Sequence, residues 1–347
     1  MQGGIKKIPK ATRLPSGAWR CRVQVDGQIM SITKTTEKEA VNAALALKTG
    51  LIKEARTPTS EKTLYDAAEL WIDDNRNRLS PSTVRGYVTA KENGFRGLMG
   101  MKCSAITDRH IAQAINAECR KFSAKTVKNR WGFVSQVLTW ATGKEYSAKL
   151  PQVVRPDIDF LDQEQLDTFM DYIKGRKEEI VALLALSSLR RSEIAALDWS
   201  NIDLKHRWIH VRGAMVPDEH HQMVTKATNK NSTSRRDVPI IDPLYTALQA
   251  VEDKTGPVVK VHPATMLRQI NEACAAAGVP EVGCHGLRHS FASLCHILNI
   301  PAQVAMEIGG WSDRATMDRI YTHVSKRDKN AFENAFTDHF KTVASEN

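Results

Sequence analysis

From Ala18 to Val25 apolar and polar positions alternate, with Trp19, Cys21, Val23 and Val25 on one side and Arg20, Arg22 and Gln24 on the other. A period of two predicts a half-buried strand. Asp26-Gly27 supplies a tight turn, because glycine tolerates positive φ, and a second strand follows through Ile29 and Ile32. Thr36 and Glu39 then form a capping-box signature that opens an alanine-rich helix ending near Arg56. The first module is expected to be a small sheet with one helix.

Thr57-Pro58-Thr59-Ser60 fits neither strand nor helix period and predicts a linker. Helical spacing follows. Leu64, Ala67, Leu70 and Trp71 mark one helix; Ser80-Pro81, a cap followed by proline at the first helical position, opens another that carries Val84 and Tyr87. Asp108 caps a third with Ile111, Ala114 and Ile115, and a fourth starts at Ser123 and buries Val127, Trp131, Val134 and Leu138. Between Ser147 and Asp157, Pro151 and Pro156 break the pattern and predict a second linker. Beyond it the signals mix: Asp162 caps a helix with Leu166, Phe169 and Met170, Ile180 to Leu186 reads as another, Arg207 to Val211 alternates, and Asp237 to Ile241 looks extended. The expected fold class is α+β, multidomain and mostly helical, with domains at 1–57, 62–147 and 156–347.

A chain of 347 residues exceeds a single core, since domains cluster around 100 to 200 residues. No apolar run approaches the roughly 18 residues of a membrane helix, and no apolar stretch follows the basic N-terminal residues, so a cytoplasmic protein is expected. The six cysteines show no Cys-x-x-Cys pair, which predicts free thiols and neither zinc nor disulfides. The formal charge of +10 is uneven: residues 1 to 60 hold eleven Lys and Arg against four acids. A strand face bearing Arg20 and Arg22 suits a DNA groove, with a plain solvated face the equal alternative. Lys121, Lys125, Lys128 and Arg130 likewise gather at one helix start, where a DNA contact competes with simple solvation.

Five short strings follow in order in the last domain. The first is Ser187-Ser188-Leu189-Arg190-Arg191-Ser192-Glu193-Ile194; an Arg-x-x-Glu is by itself a common helix ion pair. The second runs from Asn229-Lys230 to Arg235-Arg236-Asp237-Val238-Pro239, a polar loop in which a lysine is usually just solvated. His285-Gly286-Leu287-Arg288-His289 is the third and the most specific. Ile308-Gly309-Gly310-Trp311 and Arg319-Ile320-Tyr321-Thr322-His323 complete the set.

In this order the strings resemble the active-site motifs of the tyrosine recombinases, the phage integrase family. The resemblance assigns catalytic arginines to Arg190 and Arg288, a supporting carboxylate to Glu193, the lysine to Lys230 with Lys226 as fallback, the histidine to His285, and the nucleophile to Tyr321, ten residues after Trp311. Arg191 rivals Arg190, but the three-residue step to Glu193 favours Arg190. His289 supports the helix. Ser188 stands where the family often has glycine, and Trp311 where it usually has histidine; an indole N–H donates one hydrogen bond but carries no proton, which points to a positioning role. The front of the chain resembles an arm-binding domain and a helical core-binding domain, giving Arg20, Arg22, Lys125, Lys128 and Arg130 as DNA contacts.

The implied reaction is attack of a phenol on a DNA phosphodiester, leaving a 3′-phosphotyrosine link and a free 5′-hydroxyl. Guanidiniums neutralise the non-bridging oxygens because they stay charged and present planar forks of donors. His285 is the base candidate for a phenol whose pKa is near 10, and the lysine protonates the leaving oxygen. No metal or other cofactor is implied, since these cations fill the electrostatic role. The implied partners are double-stranded DNA attachment sites, a homotetramer on DNA, and DNA-bending and excision helpers. Type IB topoisomerases and hairpin-telomere resolvases share the residue set; the other alternative is a DNA-binding regulator that has lost catalysis on the same fold.

Overall fold

The computed structural model describes residues 10–14, 17–25, 28–48, 59–154, 160–226, 235–315 and 317–318. The Asp26-Gly27 turn, the end of the first helix near Arg56, the Thr57-Pro58 break, Lys230 and Tyr321 lie outside them. The chain divides into two compact units, Met1–Asp74 with Ala90–Pro151, and Asn75–Thr89 with Gln152–Asn347.

The first unit opens with an antiparallel sheet in the order β1 (Ala11–Arg13), β2 (Trp19–Val25), β3 (Gln28–Lys34). Register pairs Cys21 with Ile32, while Arg20 sits opposite Thr33 and Arg22 opposite Ser31. The alternation therefore sorts as expected: Cys21 and Val23 are buried against Ala40 and Ala44 of α1 (Glu37–Lys48), and Arg22 is exposed on the other face with Arg20 half-buried beside it. Thr36 Oγ1 accepts the Glu39 N–H at 3.3 Å, the capping bond the sequence announced. The strand β1 was not foreseen; three residues are too few to show a period.

Helices α2 (Leu64–Asn75), α3 (Pro81–Asn93, of which Pro81–Thr89 belongs to the second unit), the single turn α4 (Arg96–Met99), α5 (Asp108–Cys119) and α6 (Ala124–Thr142) follow along the chain. In α2 the inward stripe is Leu64, Ala67, Ala68 and Ile72, whereas Leu70 is exposed, so the apolar face is rotated from the expected one. Thr107, not Asp108, caps α5: its hydroxyl accepts the His110 N–H, and Asp108 sits within the first turn, where an acid favours the positive helix end. Ser123 caps α6, and Val127, Trp131, Val134 and Leu138 are buried along with Phe133 and Val137.

In the second unit, α7 (Gln163–Ile173), capped by Asp162, is followed by α8 (Glu179–Leu186), whose residues Val181 to Ala185 are all buried. A helix apolar on every side has to be surrounded. Its core holds Phe169 and Ile173 of α7, Leu244 and Leu248 of α10 (Asp242–Gln249), Met266 and Ile270 of α11 (Pro263–Ala276), and Leu287 of α12 (Gly283–Ile297). The one-turn α9 (Arg191–Ile194) comes directly after α8, and α13 (Ala302–Gly309) after α12. An antiparallel sheet β4 (Ile202–Asp203), β5 (Trp208–Val211), β8 (Arg236–Pro239) turns Ile209, Val211 and Val238 inward, and β6 (Ala214–Pro217) pairs with β7 (Met223–Lys226) as a separate ribbon. Among the described residues no helix is long and apolar enough to cross a membrane, and the six cysteines are free, Cys119 alone being exposed.

Candidate active site

Two helix ends build the site, and they are built alike. At the end of α8 the Ser188 N–H bonds to Ala185 O at 3.0 Å and the Leu189 N–H to Leu184 O at 3.1 Å; at the end of α13 the Gly310 N–H bonds to Glu307 O at 3.2 Å and the Trp311 N–H to Met306 O at 3.0 Å. This paired closure needs a left-handed residue just past the helix, and Ser188 (φ 73°) and Gly310 (φ 63°) occupy that position. The first turn delivers Arg190 and the second delivers Trp311. The glycine that the motif expects at 188 is thus explained by backbone conformation, and serine occupies the same left-handed state here.

Beyond Ser188, the one-turn α9 is tied back on itself: the Arg190 N–H donates to Glu193 Oε2 at 2.8 Å and Arg190 Nη1 to Glu193 Oε1 at 2.7 Å. From α12, Arg288 is 1% exposed and turns into the space between the two helix ends. Its Nη1 donates to Ser188 O and, at 3.1 Å, to Ser188 Oγ, and its Nη2 donates to Gly309 O at 2.6 Å. The Trp311 ring covers this guanidinium, with Cζ 4.2 Å from the ring centroid, in the manner of a cation held over an aromatic face. Phe291 stacks with the indole, ring centroids 6.1 Å apart.

A third guanidinium, unassigned from sequence, completes the group. Arg236, the first residue of β8, binds both oxygens of Glu193 at 3.1 and 2.8 Å, and its side chain is 4% exposed. It also donates to Ser188 O at 3.0 Å and from Nε to Ile308 O at 2.7 Å. The carbonyls of Ile308, Gly309 and Gly310 consequently each accept one guanidinium, from Arg236, Arg288 and Arg190 in turn, the last at 2.6 Å. Carbonyls at a helix C-terminus lack intrahelical partners and carry the negative end of the helix dipole, so they suit this work. The signal for Arg236 was present: it is in phase with buried Val238 on β8, and an arginine on a core face requires a carboxylate.

The charge balance is uneven by design of the site. Three guanidiniums face one carboxylate. Burial opposes ionisation of Glu193, but the hydrogen bond and charge of Arg236, with help from Arg190, hold its carboxyl below the usual range. Burial, then the charges of Arg190 and Arg236, pull Arg288 down to about 9, so it stays cationic at neutral pH while lacking a full counter-charge. His285 is exposed at one edge of the group and contacts His289 ring to ring at 4.3 Å. Partial desolvation, followed by the charges of Arg288 and Arg190, lowers its pKa and favours the neutral imidazole. An arrangement of surplus buried cation beside a neutral imidazole binds an anion and accepts a proton. Among the described residues no grouping of His, Cys, Asp and Glu is arranged to hold a metal ion.

Of the residues expected in the site, Arg190, Glu193, His285, Arg288 and Trp311 are brought together; Lys230 and Tyr321 lie outside the described residues. Lys226, the fallback lysine, is exposed at the end of β7. Elsewhere Lys125 and Lys128 are exposed on the first turns of α6, but Arg130 is tied down: it donates to Glu118 at 2.8 Å and lies over the Phe122 ring at 3.9 Å. Glu118 is buried and also accepts the Phe95 N–H at 3.1 Å, so the pair belongs to the helical core.

These features define a buried cluster of three guanidiniums around one carboxylate, an arrangement suited to an anion. The profile of the phage integrase family matches residues 159–328. A XerC-like tyrosine recombinase of Caldanaerobacter subterraneus is 24% identical, with 86% of this chain and 89% of that protein covered. Prophage integrase IntF of Escherichia coli is 22% identical over 86% of this chain and 69% of its own length. Among solved structures, the Tn1549 transposon integrase in complex with transposon right-end DNA superposes with a TM-score of 0.61 at 16% identity, covering 78% of this chain and 99% of that one. A lambda integrase tetramer bound to a Holliday junction gives 0.56 at 15% identity, covering 88% and 96%. The chain belongs to the phage integrase family, the tyrosine recombinases, and is a DNA-binding, site-specific recombinase.

Proposed function

We propose that this recombinase cuts and rejoins DNA at attachment sites through a 3′-phosphotyrosine intermediate, integrating or excising a mobile element. The observation that carries the reading is the surplus of guanidinium over carboxylate around Arg288, which a phosphodiester would balance. Arg190 and Arg288 bind the two non-bridging oxygens, Glu193 holds Arg190, and Trp311 covers Arg288. Tyr321 Oη attacks phosphorus and the P–O5′ bond breaks; the phenolic proton passes to the neutral His285 imidazole and Lys230 protonates the departing oxygen. A 5′-hydroxyl from a partner duplex reverses the step without ATP, because the bond energy is kept in the covalent link.

The domain reading remains 1–57 for arm-type DNA, 62–147 for the core site and 156–347 for catalysis. Arg20, Arg22, Lys125 and Lys128 contact phosphates. The likeness to the tetramer on a Holliday junction supports a homotetramer on DNA; DNA-bending and excision helpers in a bacterial cytoplasm complete the proposal. Incubation with nicked attachment-site DNA tests the core of this: a covalent protein–DNA band forms, and it vanishes in Tyr321→Phe. A band that persists in that variant removes Tyr321 from the role.

A further inference from the structure

Glu193 is where basic side chains meet, and one of them has no part in the chemistry just proposed. Arg190 keeps an open edge, its side chain 39% exposed. Arg236 and Arg288 are both buried, but Arg236 commits Nε, Nη1 and Nη2 to protein acceptors and pairs with both oxygens of Glu193, whereas Arg288 bonds to uncharged oxygens. The charge of Arg236 is therefore met inside the protein. Arg236 nonetheless shares an acceptor with each phosphate-binding arginine. Glu193 Oε1 accepts from Arg190 Nη1 at 2.7 Å and from Arg236 Nη1 at 3.1 Å; Ser188 O accepts from Arg288 Nη1 and from Arg236 Nη2 at 3.0 Å. The remaining donor, Nε, holds Ile308 O at 2.7 Å, and the next two carbonyls along the chain are those that hold Arg288 and Arg190.

We propose that Arg236 is a positioning residue for the cleavage step, fixing from within the core the carboxylate and the two helix-end turns on which Arg190 and Arg288 are hung. The inference rests on the reading of Arg190 and Arg288 as phosphate-binding residues. Its physical content is the fork. A planar guanidinium spans a carboxylate with one hydrogen from each Nη while Nε–H points to Ile308 and the second Nη2 hydrogen points to Ser188; an ammonium is a point charge with three donors and cannot hold all four directions. Small misplacement of groups that neutralise a transition state costs much rate, with a 1 Å error worth about 100-fold. Loss of the fork thus acts on the chemical step through Arg190 and Arg288, although Arg236 touches no substrate.

Arg236→Lys tests this, because it keeps the charge beside Glu193 and removes the fork. Three readings are taken on the full chain: thermal unfolding, affinity for attachment-site DNA, and the single-turnover rate of covalent-complex formation on nicked DNA at saturation. A second substrate carries methyl in place of one non-bridging oxygen of the scissile phosphate, which removes the charge the arginines neutralise. The variant is expected to fold, to bind DNA within about threefold of wild type, and to cleave at least about tenfold more slowly, with the deficit narrowing on the methylated phosphate. A folded variant that cleaves at the wild-type rate overturns the proposal, as does an equal loss on both substrates, which marks a general structural lesion, or a loss confined to binding. If Arg236→Lys does not fold at any assay temperature, Arg236→Gln replaces it with the same expectations, since it keeps a donor toward Glu193 and leaves that carboxylate paired with Arg190. Failure of the wild-type chain itself to form a covalent complex is a different result and overturns the active-site reading instead.

Discussion

Ser188 carries two opposed terms in one residue. Its left-handed backbone costs a residue with a Cβ about 1–2 kcal/mol, while its hydroxyl accepts a bond from a charged guanidinium, which contributes on the order of 1.5–3 kcal/mol where nothing replaces it. Here the Ser188 carbonyl already accepts from the same Arg288 nitrogen, so the hydroxyl's share is the smaller one. Ser188→Gly is expected to unfold at a higher temperature than wild type, and Ser188→Ala, which keeps the strain and loses the bond, at a lower one; equal melting temperatures for the two variants contradict the argument. His285 makes a pH prediction. Its folded pKa lies below the ordinary 6.5, so the unfolded chain binds the extra proton first, and stability contributed here is present above about 6.5 and lost as pH falls through the folded value. The same depression keeps the imidazole unprotonated at neutral pH and so able to accept a proton. The acid limb of cleavage at sub-saturating DNA, which reports the free enzyme and is followed over about pH 5 to 8, is therefore expected to have its midpoint below 6.5, and a midpoint above that value removes His285 as the base.

At the scale of elements, the paired helix-end closures leave little room for larger side chains between Ile308 and Trp311. A Cβ added at Gly309 would collide with the Trp311 indole, and the indole cannot retreat without uncovering Arg288 and leaving Phe291. Gly309→Ala is expected to lower stability by about 1–3 kcal/mol, the usual cost of overpacking, and to slow covalent-complex formation further than the unfolded fraction accounts for. A variant with a lowered melting point and an unchanged single-turnover rate would show that the indole's seat is structural alone. Helix starts were legible because capping is local: Thr36, Ser80, Asp162 and Ser123 announce themselves within four residues. The face of α2 was not, because Leu70 and Ile72 are equally apolar and only the neighbouring helices decide which one is covered. Arg190, His285 and Arg288 were legible through ordered strings. Arg236 was hidden inside one of them, since its meaning depends on Glu193, forty-three residues away in sequence.

For the whole molecule the +10 charge raises a question that composition cannot answer, namely which cations face DNA and which hold the fold. Geometry separates them on α6. Lys125 and Lys128 are exposed, whereas Arg130 is committed to Glu118 with side chains only 12% and 10% exposed. Each phosphate released from its counterions contributes about 0.9 to the slope of log affinity against log salt. Lys125→Ala with Lys128→Ala is expected to flatten that slope by nearly 2 and to leave thermal unfolding almost unchanged. Arg20→Ala with Arg22→Ala is expected to do the same for arm-type DNA, because both sit on the strand face away from Cys21 and Val23. Arg130→Ala should behave in the opposite way: it strands the Glu118 carboxylate beside the Phe95 amide and costs on the order of 3 kcal/mol of stability, with the salt slope of the folded protein unmoved. If Arg130→Ala flattens the slope by about 1 while the helical unit stays as stable as before, its guanidinium leaves Glu118 to meet a phosphate, and the division of labour along α6 is wrong.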